Sequence, residues 1–99
     1  MNPIDFLRNS VDTPALLIDE PLLQKNLETM AAYCADVGIA LRPHTKTHKC
    51  PEIARRQLDL GAIGLVCAKL GEAEAMAAAG LGPLLVANQV IGPLKMKRL

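Results

Sequence analysis

Residues 41–50 read LRPHTKTHKC and gather one arginine, both histidines of the chain, two lysines and two threonines. A lysine in such company can act as a carbonyl-capturing nucleophile. Its ordinary pKa of about 10.4 falls when the amine is partly desolvated or set beside another cation, here Arg42, and the neutral amine can then attack an aldehyde or ketone. Arginine and imidazole are also sensible partners for phosphate or phenolate oxygens. A closed zinc site is the weaker alternative: His44, His48 and Cys50 give three ligands, the fourth is not evident, and Pro51 follows at once.

The elements around this decapeptide say where it stands. IALRP, residues 39–43, reads as a strand, and side chains alternate across a strand. If the extended backbone continues, Arg42, His44, Lys46 and His48 face one way while Pro43, Thr45 and Thr47 face the other. A polar row at the C-terminal end of a parallel strand lies where α/β sheets and barrels build their sites.

Upstream, TPALLIDE reads as a short strand, followed by a helix that Pro21 opens and Gly38 stops, with Leu23, Leu27, Met30 and Cys34 forming one apolar stripe. Downstream, a helix opens at Pro51 with Ile53, Ala54, Gln57 and Leu58 on one side and ends at Gly61. AIGLVCA is an apolar strand, GEAEAMAAAG a helix ending at Gly80, PLLVAN another strand, and GPLKMKRL the start of a further helix. Apolar strands alternating with glycine-stopped helices predict an α/β fold of parallel βα units with both sheet faces covered. No linker or domain boundary interrupts the order. A closed (β/α)₈ barrel needs roughly 250 residues, so 99 residues are expected to supply the first βα units of such a TIM-type barrel, incomplete by themselves.

Composition narrows the class. An apolar content of 51% with 21% charged residues is that of an ordinary globular protein, and a net charge of +1 gives no broad field toward nucleic acid or an anionic membrane. One Tyr, one Phe and no Trp leave nothing to interleave for base stacking. No apolar run approaches the roughly 18 residues of a membrane span, the start lacks a signal-peptide pattern, and three cysteines without C-x-x-C spacing suit a reducing compartment. A cytoplasmic protein is expected, with Cys34, Cys67, Met30 and Met76 as core residues.

The stretch LRPHTKTHKCPEIARRQLDLGAIGLVCAKLGEAEAMAAAG, preceded by TPALLIDEPLLQKNLETM and followed by LLVANQVIGPLKMKRL, resembles the amino-terminal part of the D-threonine aldolase and D-serine dehydratase family. That family is related to the alanine racemase amino-terminal domain and belongs to the fold-type III pyridoxal-phosphate enzymes. The resemblance runs from Thr13 to the end, and its RPHxKTHK core is specific. It implies that Lys46 forms the internal aldimine with pyridoxal 5'-phosphate, that Lys49 is the second lysine of the motif and not the aldimine residue, and that Arg42, His44 and His48 line or support the cofactor pocket. It implies a (β/α)₈ barrel plus a carboxy-terminal β domain, residues 1–20 pairing with the latter. It also implies a divalent cation, held by ligands outside these 99 residues.

The function expected on this resemblance is a pyridoxal-phosphate lyase acting on β-hydroxy D-amino acids. It is either a D-threonine aldolase-like retro-aldol cleavage or a D-serine dehydratase-like elimination. A homodimeric parent is expected, with small D-amino acids as partners and neither nucleic acid nor membrane. The alternatives are a non-catalytic pyridoxal-phosphate-binding or homeostasis protein of the same fold, or a truncated chain inactive by itself. One departure stands out: the loop after the second barrel strand commonly reads like ATxxEA, whereas Lys69 holds the threonine place here. Glu72 reads as a helix-dipole residue, and Asn88 and Gln89 are pocket candidates by position alone.

Overall fold

The computed structural model of the chain describes residues 2–99. Five helices occupy Pro3–Ser10 (α1), Glu20–Val37 (α2), Pro51–Asp59 (α3), Leu70–Ala78 (α4) and Pro93–Arg98 (α5), and two strands occupy Leu65–Cys67 (β1) and Leu84–Val86 (β2). Local chemistry sets the helix ends. Prolines stand in the first turn of α2, α3 and α5, where their missing N–H costs nothing, and the Asp19 carboxylate accepts from the Leu22 N–H to cap α2. Gly38 closes α2 in the left-handed region at φ 71°, which glycine enters without a Cβ clash.

β1 and β2 run parallel, pairing Leu65 with Leu84, Val66 with Leu85 and Cys67 with Val86. Residues 41–44 lie along the other side of β1. The Ile63 and Val66 N–H groups donate to the Leu41 and Pro43 carbonyls at 2.8 Å each, and His44 forms a single parallel bridge with Val66. The expected IALRP strand is thus reduced to an extended segment with one bridge, because Pro43 has no N–H to donate.

The core lies on one face of this sheet, where Ala54 of α3, Leu65 and Cys67 of β1, Ala73 and Met76 of α4, and Leu81 pack together. The opposite face is open. Val66 and its partner Leu85 point there, and Leu85 keeps 50% of its surface exposed. This corrects the expectation of a sheet covered on both sides: α3 and α4 both pack on the core face, and nothing among the described residues covers the other.

Other expectations also fail. TPALLIDE forms no strand; its backbone runs into α2 with Leu16, Leu17 and Ile18 exposed, since a strand needs a hydrogen-bonding neighbour and none is within reach among the described residues. Met30 is exposed and Cys34 only half-buried, while Met76 and Cys67 are core residues as expected. Leu27 and Met30 of the α2 stripe instead line an apolar groove of about 370 Å³ shared with Leu41 and Leu60. Helix α1 lies outside the elements that the residue pattern predicts; Asn2 caps it by accepting from the Ile4 N–H. No described helix is long and apolar enough to cross a membrane.

Candidate active site

The C-terminal ends of residues 41–44, β1 and β2 share one edge of the parallel sheet, and the motif sits there. Extended backbone ends at His44, whose φ of −87° and ψ of 124° give way to a 3₁₀ turn over Thr45–Thr47. The alternating row therefore survives only at Arg42 and His44. These two share the parity of Gly64 and Val66 and lie on the open face of the sheet. Lys46 rides on the turn and His48 follows it, so neither is placed by strand alternation.

The turn is held from both sides. Thr45 is fully buried, and its hydroxyl donates to the Val66 carbonyl at 3.1 Å and lies 3.5 Å from the Cys67 sulfur. Burial of a hydroxyl is tolerable because that bond is made. The Lys49 N–H donates to the Thr45 carbonyl at 2.7 Å, and Lys49 itself takes φ of 50°, the left-handed region that non-glycine residues seldom enter.

Each predicted residue can now be placed. Arg42 is half-buried, and its guanidinium crosses Gly64 so closely that a Cβ there would come within 2.4 Å of Nη1. The His44 ring accepts the Lys46 N–H at Nδ1. His48 accepts the Cys50 N–H at Nδ1 and meets Gln57 at 3.1 Å through Nε2, so both ring nitrogens are engaged in holding the turn against α3. Lys46 is exposed, and its amine makes no ion pair among the described residues.

Next to this turn, between the loops that follow β1 and β2, opens a cleft of about 560 Å³. Asn88 and Gln89 line it, as their position suggested, together with Lys49, Lys69 and Glu72. Lys46 is not part of that lining. What sequence reasoning missed is a contact across elements: the Lys49 amine lies 3.4 Å from Glu72 Oε1, while Glu72 Oε2 accepts the Ala68 N–H at 3.0 Å. An acidic residue at the third helical position commonly reaches back to the N-cap amide, here that of Lys69, and Glu72 reaches one residue further, to Ala68.

Desolvation at the cleft wall pushes the Glu72 carboxyl up. The Ala68 and Lys69 N–H groups and Lys49 together outweigh it, and the carboxyl ends below its ordinary 4.5. On α5, Arg98 pairs with Glu74, and that hydrogen bond likewise holds the Glu74 carboxyl low. Among the described residues no group of three His, Cys, Asp or Glu side chains is gathered as a metal would need.

No family model matches the chain. Among curated proteins it is 49% identical over 86 residues to a D-threonine aldolase of Arthrobacter sp, covering 87% of this chain and 23% of that protein. Among solved structures it overlays a D-threonine aldolase from Filomicrobium marinum with a TM-score of 0.87 at 48% identity, covering 89% of this chain and 24% of the other. It overlays the D-threo-3-hydroxyaspartate dehydratase from Delftia sp. HT23 with a TM-score of 0.82 at 36% identity, covering 90% and 23%. The chain thus spans about a quarter of the length of the proteins it matches.

Proposed function

We propose, from a chain that belongs to the D-threonine aldolase and D-serine dehydratase-like family, that the protein carrying it is a pyridoxal-phosphate-dependent lyase acting on β-hydroxy D-amino acids. The observation that carries the site assignment is the contrast between the two motif lysines. Lys49 is paired with Glu72, whereas Lys46, three residues earlier and on the turn itself, has no carboxylate partner among the described residues. An uncommitted primary amine at the C-terminal edge of parallel strands is what carbonyl capture needs.

The residues present fit this cofactor by the chemistry of their donors. Lys46 offers the amine. Arg42 and His44 offer a guanidinium and an imidazole on the open face, suited to anionic oxygens, with no acid in an ion pair with Arg42 among the described residues. When bound, pyridoxal phosphate supplies an aldehyde for amines and a ring that takes up the electron pair of a bond broken at Cα. His48 is a support for the turn rather than a proton carrier, since Cys50 and Gln57 occupy its two nitrogens.

The rest of the site belongs to a closed (β/α)₈ barrel in this proposal. The open sheet face with Val66 and Leu85 turns toward the barrel axis, and the exposed segment around Leu16–Ile18 joins a second, β domain. The divalent cation is held outside these residues.

Two measurements on the full protein test this. Borohydride trapping with pyridoxal phosphate, followed by peptide mapping, is expected to label Lys46, and Lys46→Ala is expected to abolish the visible band of the bound cofactor while Lys49→Ala keeps it. Trapping at another residue would refute the assignment. Product analysis then separates the two chemistries: glycine or glyoxylate-type products mark aldol cleavage, a 2-oxo acid with ammonia marks elimination.

A further inference from the structure

We infer that Glu72 selects between the two lysines of the motif, holding Lys49 in an ion pair so that Lys46 is the amine that meets a carbonyl ligand. The inference rests on the proposed role of Lys46 and adds the residue that enforces it.

Residue type does not distinguish the two amines. Lys46 sits on the turn and Lys49 two residues past its end, both are lysines with exposed surface, and Lys49 lines the cleft while Lys46 does not. By position alone Lys49 is the better placed competitor for any aldehyde that enters. An amine held against a carboxylate must leave that partner before it can attack, a step that an unpaired amine does not need.

The geometry makes that restraint specific. Glu72 is not a wandering surface acid: its side chain is only 14% exposed, and the Ala68 N–H fixes one carboxylate oxygen at 3.0 Å. The other oxygen is left for Lys49, whose amine reaches it at 3.4 Å. The backbone from which Lys49 reaches it is fixed as well, in the left-handed region and by the bond from its N–H to Thr45. The Lys46 backbone is held too, by the bond from its N–H to His44 Nδ1, but its amine has no ion-pair partner among the described residues. Glu72 therefore acts as a positioning residue, through Lys49 and on the outcome at Lys46.

Condensation at either lysine joins the amine nitrogen to the carbonyl carbon and expels the carbonyl oxygen as water; a hydride donor then fixes the bond. This gives a test that needs no cofactor. The folded full protein is treated with formaldehyde and cyanoborohydride, and the methylation rate of each lysine is read by peptide mass spectrometry. Lys46 is expected to react faster than Lys49. In Glu72→Gln, which keeps an acceptor for the Ala68 N–H and loses the charge, Lys49 is expected to speed up about two- to fivefold, the range an exposed ion pair supports, with Lys46 changing less. Glu74→Gln, which breaks the separate pair with Arg98, is the control and should leave the ratio alone. An unchanged Lys49 rate in Glu72→Gln, or equal acceleration of both lysines, overturns the inference.

A second arm uses pyridoxal phosphate with borohydride. A share of the label moving from Lys46 to Lys49 in Glu72→Gln supports the selection. Label on neither lysine in the unsubstituted protein removes the proposed role of Lys46, while the formaldehyde ratio still decides the ion-pair restraint. Label on Lys49 in the unsubstituted protein overturns both.

Discussion

The Thr45 hydroxyl donates to the Val66 carbonyl at 3.1 Å and thereby ties the turn that carries Lys46 to the central strand of the sheet. Thr45→Val keeps the branched shape and removes the bond. It is expected to cost about 1 kcal/mol of stability and to lower cofactor trapping at Lys46, whereas Thr45→Ser restores trapping. Denaturant unfolding and peptide mapping check the two parts; equal trapping in all three proteins would remove Thr45 from the support of the site.

Gly64 is expected to be intolerant for a reason the sequence does not display. A Cβ there would stand 2.4 Å from Arg42 Nη1 and 2.6 Å from the Pro83 carbonyl oxygen, the same oxygen that accepts the Leu65 N–H. The arginine can swing away; the backbone oxygen cannot move without disturbing the β1–β2 ladder. Gly64→Ala should destabilise by about 1–3 kcal/mol, and combining it with Arg42→Ala should recover little of the loss. Full recovery in the double variant would show that the arginine alone makes the position tight.

Lys49 couples backbone strain to an ion pair. Lys49→Gly relieves the left-handed conformation at φ 50° and should leave stability unchanged or raise it by up to about 1 kcal/mol, while Lys49→Val should lower it by roughly 1–2 kcal/mol, since a β-branched residue fits that region worst. Melting temperatures of the two variants order them; a less stable glycine variant would show that the pair with Glu72 outweighs the strain.

The pH dependence follows from the sign of the Glu72 shift. Its carboxyl is held below the ordinary 4.5 in the folded chain, so the unfolded chain binds the proton more readily in acid. The stabilisation is present above about pH 4.5 and is lost as pH falls through the lower folded value. Glu72→Gln should flatten the stability curve on that acid side and leave its shape near neutrality unchanged, as urea titrations between neutral and acid pH would show. An unaltered acid limb would mean that Glu72 is not linked to folding.

The positions of α2 to α5 were legible in the residues because helix limits are local, whereas α1 was not. Pro21, Pro51 and Pro93 open α2, α3 and α5, and Gly38, Gly61 and Gly80 all take positive φ where a helix was expected to stop. The motif that carries the family resemblance was equally plain, since it is written in consecutive residues. The strands were less so: AIGLVCA and PLLVAN contain β1 and β2, but TPALLIDE does not form a strand and IALRP is held by a single bridge. Strand alternation also stops sooner than the residues suggest, at His44, in a turn that the run of polar residues does not announce.

By itself, the sequence determined which chemistry residues 42–49 could offer and where the helices around them begin and end, because both depend on neighbours within a turn or two of chain. Only the tertiary structure decided which of two similar lysines is restrained. That choice is made by Glu72, set opposite Lys49 by the packing of α4 against β1, and by Thr45, buried against β1; a sheet neighbour or an ion-pair partner from another element leaves no periodic trace in the residues it meets.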